Sequence, residues 1–105
     1  MNDVRALFHP NRHEIRLSAV LYALSDQIRL HIVRELARQG EQACGSVDLP
    51  LPKSTLSHHF KVLREAGVTS TRIEGNQRLI SLRRDDLHAR FPGLLEAVLQ
   101  ASEPL

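Results

Sequence analysis

Between Pro52 and Gly67 the apolar positions recur with a helical period. Leu56, Phe60 and Leu63 fall at i, i+4 and i+7, and Val62 and Ala66 widen the stripe. The spacing predicts a helix over residues 54–66, stopped by Gly67. Its other face carries Ser54, Thr55, Ser57, His58, Lys61 and Arg64, with Glu65 as the only carboxylate. Hydroxyls, donors and cations together suit an anionic, acceptor-rich surface such as phosphates and base edges.

The flanking patterns supply the support for that helix. Residues 1–12 read as a flexible N-terminal arm, with a turn signal at His9-Pro10-Asn11. A first helix is predicted from about His13 to Leu24, apolar nearly all round. Asp26 caps a second, which runs to Gln39 with Gly40 past its end. Ile28, Ile32, Val33 and Leu36 form its inward stripe, and Arg29, Arg34, Glu35 and Arg38 are expected to point out. Glu41 to Leu51 reads as a connector with a short helix near Gly45–Leu49, broken by Pro50 and Pro52. Val68–Ile73 and Arg78–Leu82 read as two strands of a hairpin joined through Glu74-Gly75-Asn76-Gln77. A lone hairpin is not stable, so it has to pack on the helices. The last helical region starts near Asp85, is interrupted at Phe91-Pro92 and resumes over Pro92–Gln100. Leu87, Phe91, Leu94, Leu95, Val98 and Leu99 exceed what a small core takes, as do the apolar residues of the first helix. Those two terminal regions are therefore expected to join two copies as a homodimer. The fold class is mainly α with a small β-hairpin.

Composition narrows the function. At 105 residues, 42% apolar and 25% charged, the chain reads as one globular domain. Few aromatics and no Trp argue against a stacking platform for single-stranded nucleic acid. No apolar run spans a bilayer, no signal-peptide core opens the sequence, and one Cys permits no internal disulfide. A cytoplasmic protein without membrane partners is the expectation. Net charge is only +2, but seven bases and two acids lie between Lys53 and Arg84, giving +5 there and −3 elsewhere. A basic segment on a mildly acidic body is the footprint of a nucleic-acid partner.

The order of elements, with LSDQIRLHIVREL (24–36), STLSHHFKVLREAGV (54–68) and TSTRIEGNQRLISL (69–82), resembles the ArsR/SmtB family of bacterial winged helix-turn-helix regulators. The S-x-x-S-x-H pattern followed by KVLREAG is similar to that family's recognition helix. The resemblance implies a winged helix-turn-helix over residues 13–101 that binds double-stranded operator DNA as a homodimer. It also implies a repressor released by an effector, often a metal ion. Ser54, Thr55, Ser57 and His58 would then read bases. Lys61 and Arg64 would position the helix on the backbone, Lys53 would be a further DNA contact, and His59 would face the second helix or a phosphate. Arg72, Asn76, Gln77 and Arg78 would form the wing contacts.

The effector is not legible. The family's arsenic-type sensors carry a C-x-C pair, where this chain has Ala43-Cys44-Gly45-Ser46. The zinc-type pattern in the last helix is half matched: Asp86 and His88 fit, but Leu99 and Ser102 fall on the remaining ligand positions. No cofactor is therefore expected. A zinc-responsive repressor and a winged-helix protein-interaction module are the alternatives. Catalysis is not expected, because neither a nucleophile elbow nor a Gly-rich phosphate loop occurs.

Overall fold

The computed structural model describes residues 7–101. Five α-helices and a three-stranded antiparallel sheet follow the order α1 (Leu17–Ala23), α2 (Gln27–Gln39), β1 (Gln42–Ala43), α3 (Lys53–Ala66), β2 (Thr69–Glu74), β3 (Gln77–Leu82), α4 (Arg84–Arg90) and α5 (Leu94–Gln100). Two 3-10 turns, at Arg12–Glu14 and Cys44–Ser46, complete the described elements.

Helix α2 forms as its caps dictate. The Asp26 carboxylate accepts from the Ile28 and Arg29 amides at 2.9 and 3.1 Å, and Gly40 ends the helix at φ 79°. Ile32, Val33 and Leu36 face the core. The hairpin pairs Thr69 with Leu82 through to Glu74 with Gln77. Its turn is therefore the two residues Gly75-Asn76, tighter than the four-residue loop expected from sequence. Gly75 has φ 61°, and no described non-glycine residue has positive φ, which is the pattern of a II′ turn. Strand β3 lies in the middle, between β2 and the short β1.

Three expectations give way. The first helix does not begin at His13. Residues 12–14 form a 3-10 turn, Ile15 and Arg16 are extended, and α1 starts at Leu17. The reason is tertiary. Ile15 is only 1% exposed and inserts against Gly67, and Arg90 donates to the Ile15 carbonyl. The connector holds β1 and a 3-10 turn at Cys44–Ser46 in place of a helix at Gly45–Leu49. Gln42 and Ala43 pair with Ile80 and Leu79, so β1 exists only because β3 offers an edge. Finally, Pro92 does not open α5: Gly93, at φ 83°, stands between them and the helix starts at Leu94.

Residues 7–12, expected as part of a loose arm, are held in place. Pro10 is buried and its carbonyl accepts from Arg83 at 2.7 Å. His9 Nδ1 donates to the Leu7 carbonyl and its Nε2 accepts from the Thr71 amide, both at 3.0 Å. The remainder of that arm, residues 1–6, lies outside the described residues.

The core joins α1, α2, α3 and β3 to the final helices. Leu63, Val68, Ile80, Leu87 and Leu95 are all nearly or wholly buried in it. Leu17, Leu21 and Tyr22 of α1 stay about half exposed.

Candidate nucleic-acid interface

Helix α3 is the element on which most candidate side chains ride. Pro52 precedes it with no side-chain cap, so its first amides are not satisfied by a capping group. Its C-terminus closes as a Schellman motif. Val68 N–H reaches the Leu63 carbonyl at 3.0 Å, Gly67 N–H reaches that of Arg64 at 3.1 Å, and Gly67 sits at φ 88°. Leu63 and Val68, both wholly buried, make the apolar contact that accompanies this motif.

Lys53, Ser54, Ser57, His58 and Lys61 are exposed, and Thr55 is half-buried beside them. On the wing, Asn76, Gln77 and Arg78 are exposed. Lys53, Ser57 and Arg78 border one cleft between α3 and the wing, which brings the two groups of candidates together.

His59 faces α2. Its Nδ1 lies 3.2 Å from an Arg29 guanidinium nitrogen and 3.8 Å from the Asp26 carboxylate. Burial pushes its pKa below the usual histidine value, against the pull of Asp26. A neutral ring accepting from Arg29 presents its N–H on Nε2.

One arginine differs from its expected place, and a second is exposed as expected but already paired. Arg64, expected on the outward face of α3, is 9% exposed and donates through Nε to the Phe8 carbonyl at 3.2 Å. Its position four residues after Phe60 puts it on the inner edge of the apolar stripe. Arg72 is exposed, but its guanidinium is committed. It meets both Glu41 oxygens at 2.9 and 3.1 Å and Glu74 at 2.5 Å. The pairing holds Glu41 below the usual carboxylate range and raises the Arg72 pKa further. Two acids against one base leave that edge of the wing slightly acidic.

Sequence reasoning also missed Arg29. It is 5% exposed, not outward, and its Nε donates to the Ala23 carbonyl at 2.7 Å. A further nitrogen donates to the Tyr22 carbonyl at 3.2 Å, so the end of α1 is fastened to α2 and α3. The signal was present: Arg29, Ile32, Val33 and Leu36 share one face by spacing.

The zinc-type half-site is not assembled as a ligand pair. Asp86 accepts from Arg12 at 2.6 Å and from Arg83 at 2.9 Å, which holds its carboxyl below the usual range. His88 is exposed and lies 3.8 Å from Glu96. Cys44 is half-buried, and burial pushes its thiol pKa up.

A profile described as a helix-turn-helix domain matches residues 24–72. The chain is 43% identical over 82 residues to the uncharacterized HTH-type transcriptional regulator YceK of Bacillus subtilis (strain 168), covering 75% of this chain and 82% of that one. The chain belongs to the ArsR family of winged helix-turn-helix transcriptional regulators. Its fold superposes on the transcriptional repressor BigR from Xylella fastidiosa with TM-score 0.65 and 27% identity, covering 85% of this chain and 88% of that chain. HlyU from Vibrio cholerae N16961 gives TM-score 0.63 and 28% identity, over 77% and 85% of the two chains. As an ArsR-family member the chain is a DNA-binding transcriptional regulator. In this winged helix-turn-helix the β2–β3 hairpin is the wing that follows α3. No helix among the described residues is long and apolar enough to cross a membrane.

Proposed function

We propose that this regulator is a cytoplasmic, non-catalytic repressor that binds a pseudo-palindromic operator as a homodimer. Residues 13–101 would form the DNA-binding and dimerising body. The observation that carries the reading is the exposed face of α3. Ser54, Ser57, His58 and Lys61 stand on it, flanked by Lys53 and Arg78. No hydrogen bond or ion pair among the described residues ties Lys53, Lys61 or Arg78 to the protein. Free cations can be given to phosphates without first breaking an internal pair. The uncapped first turn of α3 adds amide donors of the right sign. Ser54, Thr55, Ser57 and His58 are the base readers in this scheme, and Asn76 and Gln77 reach the adjoining groove. His59 supports α3 from inside and presents only Nε2 outward. Arg64 and Arg72 serve the scaffold more than the backbone contact.

The apolar α1 surface at Leu17, Leu21 and Tyr22, with half-buried Leu94, Val98 and Leu99 of α5, supports pairing of two copies. Such a dimer presents two α3 helices about 34–36 Å apart, one turn of DNA. That BigR is named a transcriptional repressor supports the same direction of regulation here.

Fluorescence anisotropy with double-stranded DNA from the region flanking the gene tests the division of labour. Lys61→Ala and Arg78→Ala should weaken binding to all sequences and each lower the salt slope by about one per protomer. Ser57→Ala and His58→Ala should change preference between operator and random DNA. Equal losses on both DNAs for all four variants contradict the assignment.

A further inference from the structure

A cavity of about 400 Å³ lies between α3, the turn at Cys44–Ser46 and the wing. Its volume falls in the range of sites for small organic ligands, roughly 300–1,000 Å³. Exposure sorts its lining into a mouth and an interior. Lys53, Ser57 and Arg78 are exposed at the mouth, while Val47, Leu56 and Phe60 give an apolar interior. Arg64 also lines the cavity, and it is nine-tenths buried. Its Nε is spent on the Phe8 carbonyl. Among the described residues its two terminal nitrogens meet no acceptor, and no carboxylate pairs with it.

Those nitrogens are not sealed from solvent and no carboxylate among the described residues neutralises them, so an anion entering the cavity gains a charge-assisted pair beside its apolar wall. The shape of the site says which anion. A phosphodiester is hydrated on every side and gains nothing from Val47, Leu56 and Phe60. A carboxylate on an apolar body satisfies the buried cation and the interior together, and two parallel hydrogen bonds fit the guanidinium fork.

We propose that this cavity binds a small amphipathic carboxylate, its head on Arg64 and its apolar body against Val47, Leu56 and Phe60. A negative charge in the cavity lowers the positive potential at Lys53 and Arg78 on its rim, the same cations assigned above to DNA, so ligand and DNA oppose each other. That opposition rests on the DNA assignment; the binding itself does not.

Octanoate is a suitable probe, and Cys44, the chain's one cysteine, is a built-in reporter because it lines the same cavity. Alkylation of the full chain by iodoacetamide at alkaline pH is followed with increasing octanoate. At ten times its Kd, octanoate should slow alkylation about tenfold, as simple occupancy requires. Octan-1-ol and inorganic phosphate at equal concentration should protect much less. Arg64→Gln should abolish protection, with folding checked by circular dichroism. Leu56→Trp, which fills the interior and keeps the cation, should do the same and covers the case in which Arg64→Gln does not fold. Equal protection by octanol would reduce the site to an apolar crevice, and equal protection by phosphate would make it part of the DNA contact. Unchanged protection in either folded variant also overturns the proposal. Anisotropy is read in parallel on the wild type. Loss of DNA affinity with octanoate supports the opposition, and Cys44 protection with unchanged DNA affinity refutes it while leaving the site intact. Absence of DNA binding at zero octanoate bears on the DNA assignment alone.

Discussion

Replacing Gly67 by Ala tests the joint that sets the position of α3. Two effects add there. Gly67 has φ 88°, in the left-handed region, where a Cβ costs about 1–2 kcal/mol. A Cβ at that position would also lie 2.7 Å from Cγ1 and 2.9 Å from Cδ1 of Ile15. Ile15 is 1% exposed, so it has little room to give, and overpacking of this kind costs about 1–3 kcal/mol. Lower entropy of the unfolded Ala chain offsets about 0.4–1 kcal/mol. The net expectation is a loss of about 1–4.5 kcal/mol for Gly67→Ala by urea denaturation at fixed protein concentration. A double-mutant cycle separates the two effects. Ile15→Ala alone should cost about 2–5 kcal/mol as a core truncation. In the double variant the overlap is gone, so the pair should be less destabilised than the sum by about 1–3 kcal/mol. Additive losses would falsify the contact as the source of the effect and leave backbone conformation alone. A Gly67→Ala loss below about 0.5 kcal/mol would refute both parts.

His9 must be neutral to accept from Thr71, and burial, aided by nearby Arg64 and Arg83, lowers its pKa; burial also lowers that of His59. For both groups the unfolded chain takes up the proton first, so stability is full above pH about 6.5 and falls as pH drops through that value towards the folded pKa. Urea midpoints at pH 7.5 and 5.5 should therefore differ more for wild type than for His9→Gln, and identical shifts would remove His9 from the account. Leu21→Asp places a charge on the exposed α1 surface; sedimentation should give dimers for wild type and monomers for the variant, and a variant that remains dimeric would exclude that face.

Where the chain announces an element locally, the structure repeats it. The Asp26 cap, Gly40 and Gly67 bound α2 and α3 to within a residue of expectation. The break at Phe91-Pro92 separates α4 from α5. Local signals fail where a distant partner decides. Strand β1 is two residues long, and nothing within Gln42-Ala43 marks it apart from the edge of β3. Ile15 fits a helical stripe in sequence, yet it is extended because Gly67 leaves a socket for it. At the site Ser54, Ser57, His58 and Lys61 were legible from period alone, and they are on the surface as expected, with Thr55 half-buried beside them. The arginines were not. Arg29 and Arg64 occupy inward positions by spacing, but their charge argued for solvent, and only carbonyls supplied from α1 and Phe8 make the inward places tolerable.

That correction changes the electrostatic argument in a measurable way. Sequence counts seven bases between Lys53 and Arg84. In the fold Arg64 is buried, Arg72 is paired with Glu41 and Glu74, Arg83 is paired with Asp86, and Arg84 donates to the Ala37 carbonyl. On the proposed reading Lys53, Lys61 and Arg78 remain for phosphates. Six such contacts in a dimer correspond to a slope of log K against log salt near about −5, whereas fourteen would give about −13. The shallower slope follows only if the internal pairs survive on DNA. A slope near the steeper limit would mean that Arg72 and its neighbours leave Glu41 and Asp86 for the backbone, and that the wing rearranges when it binds.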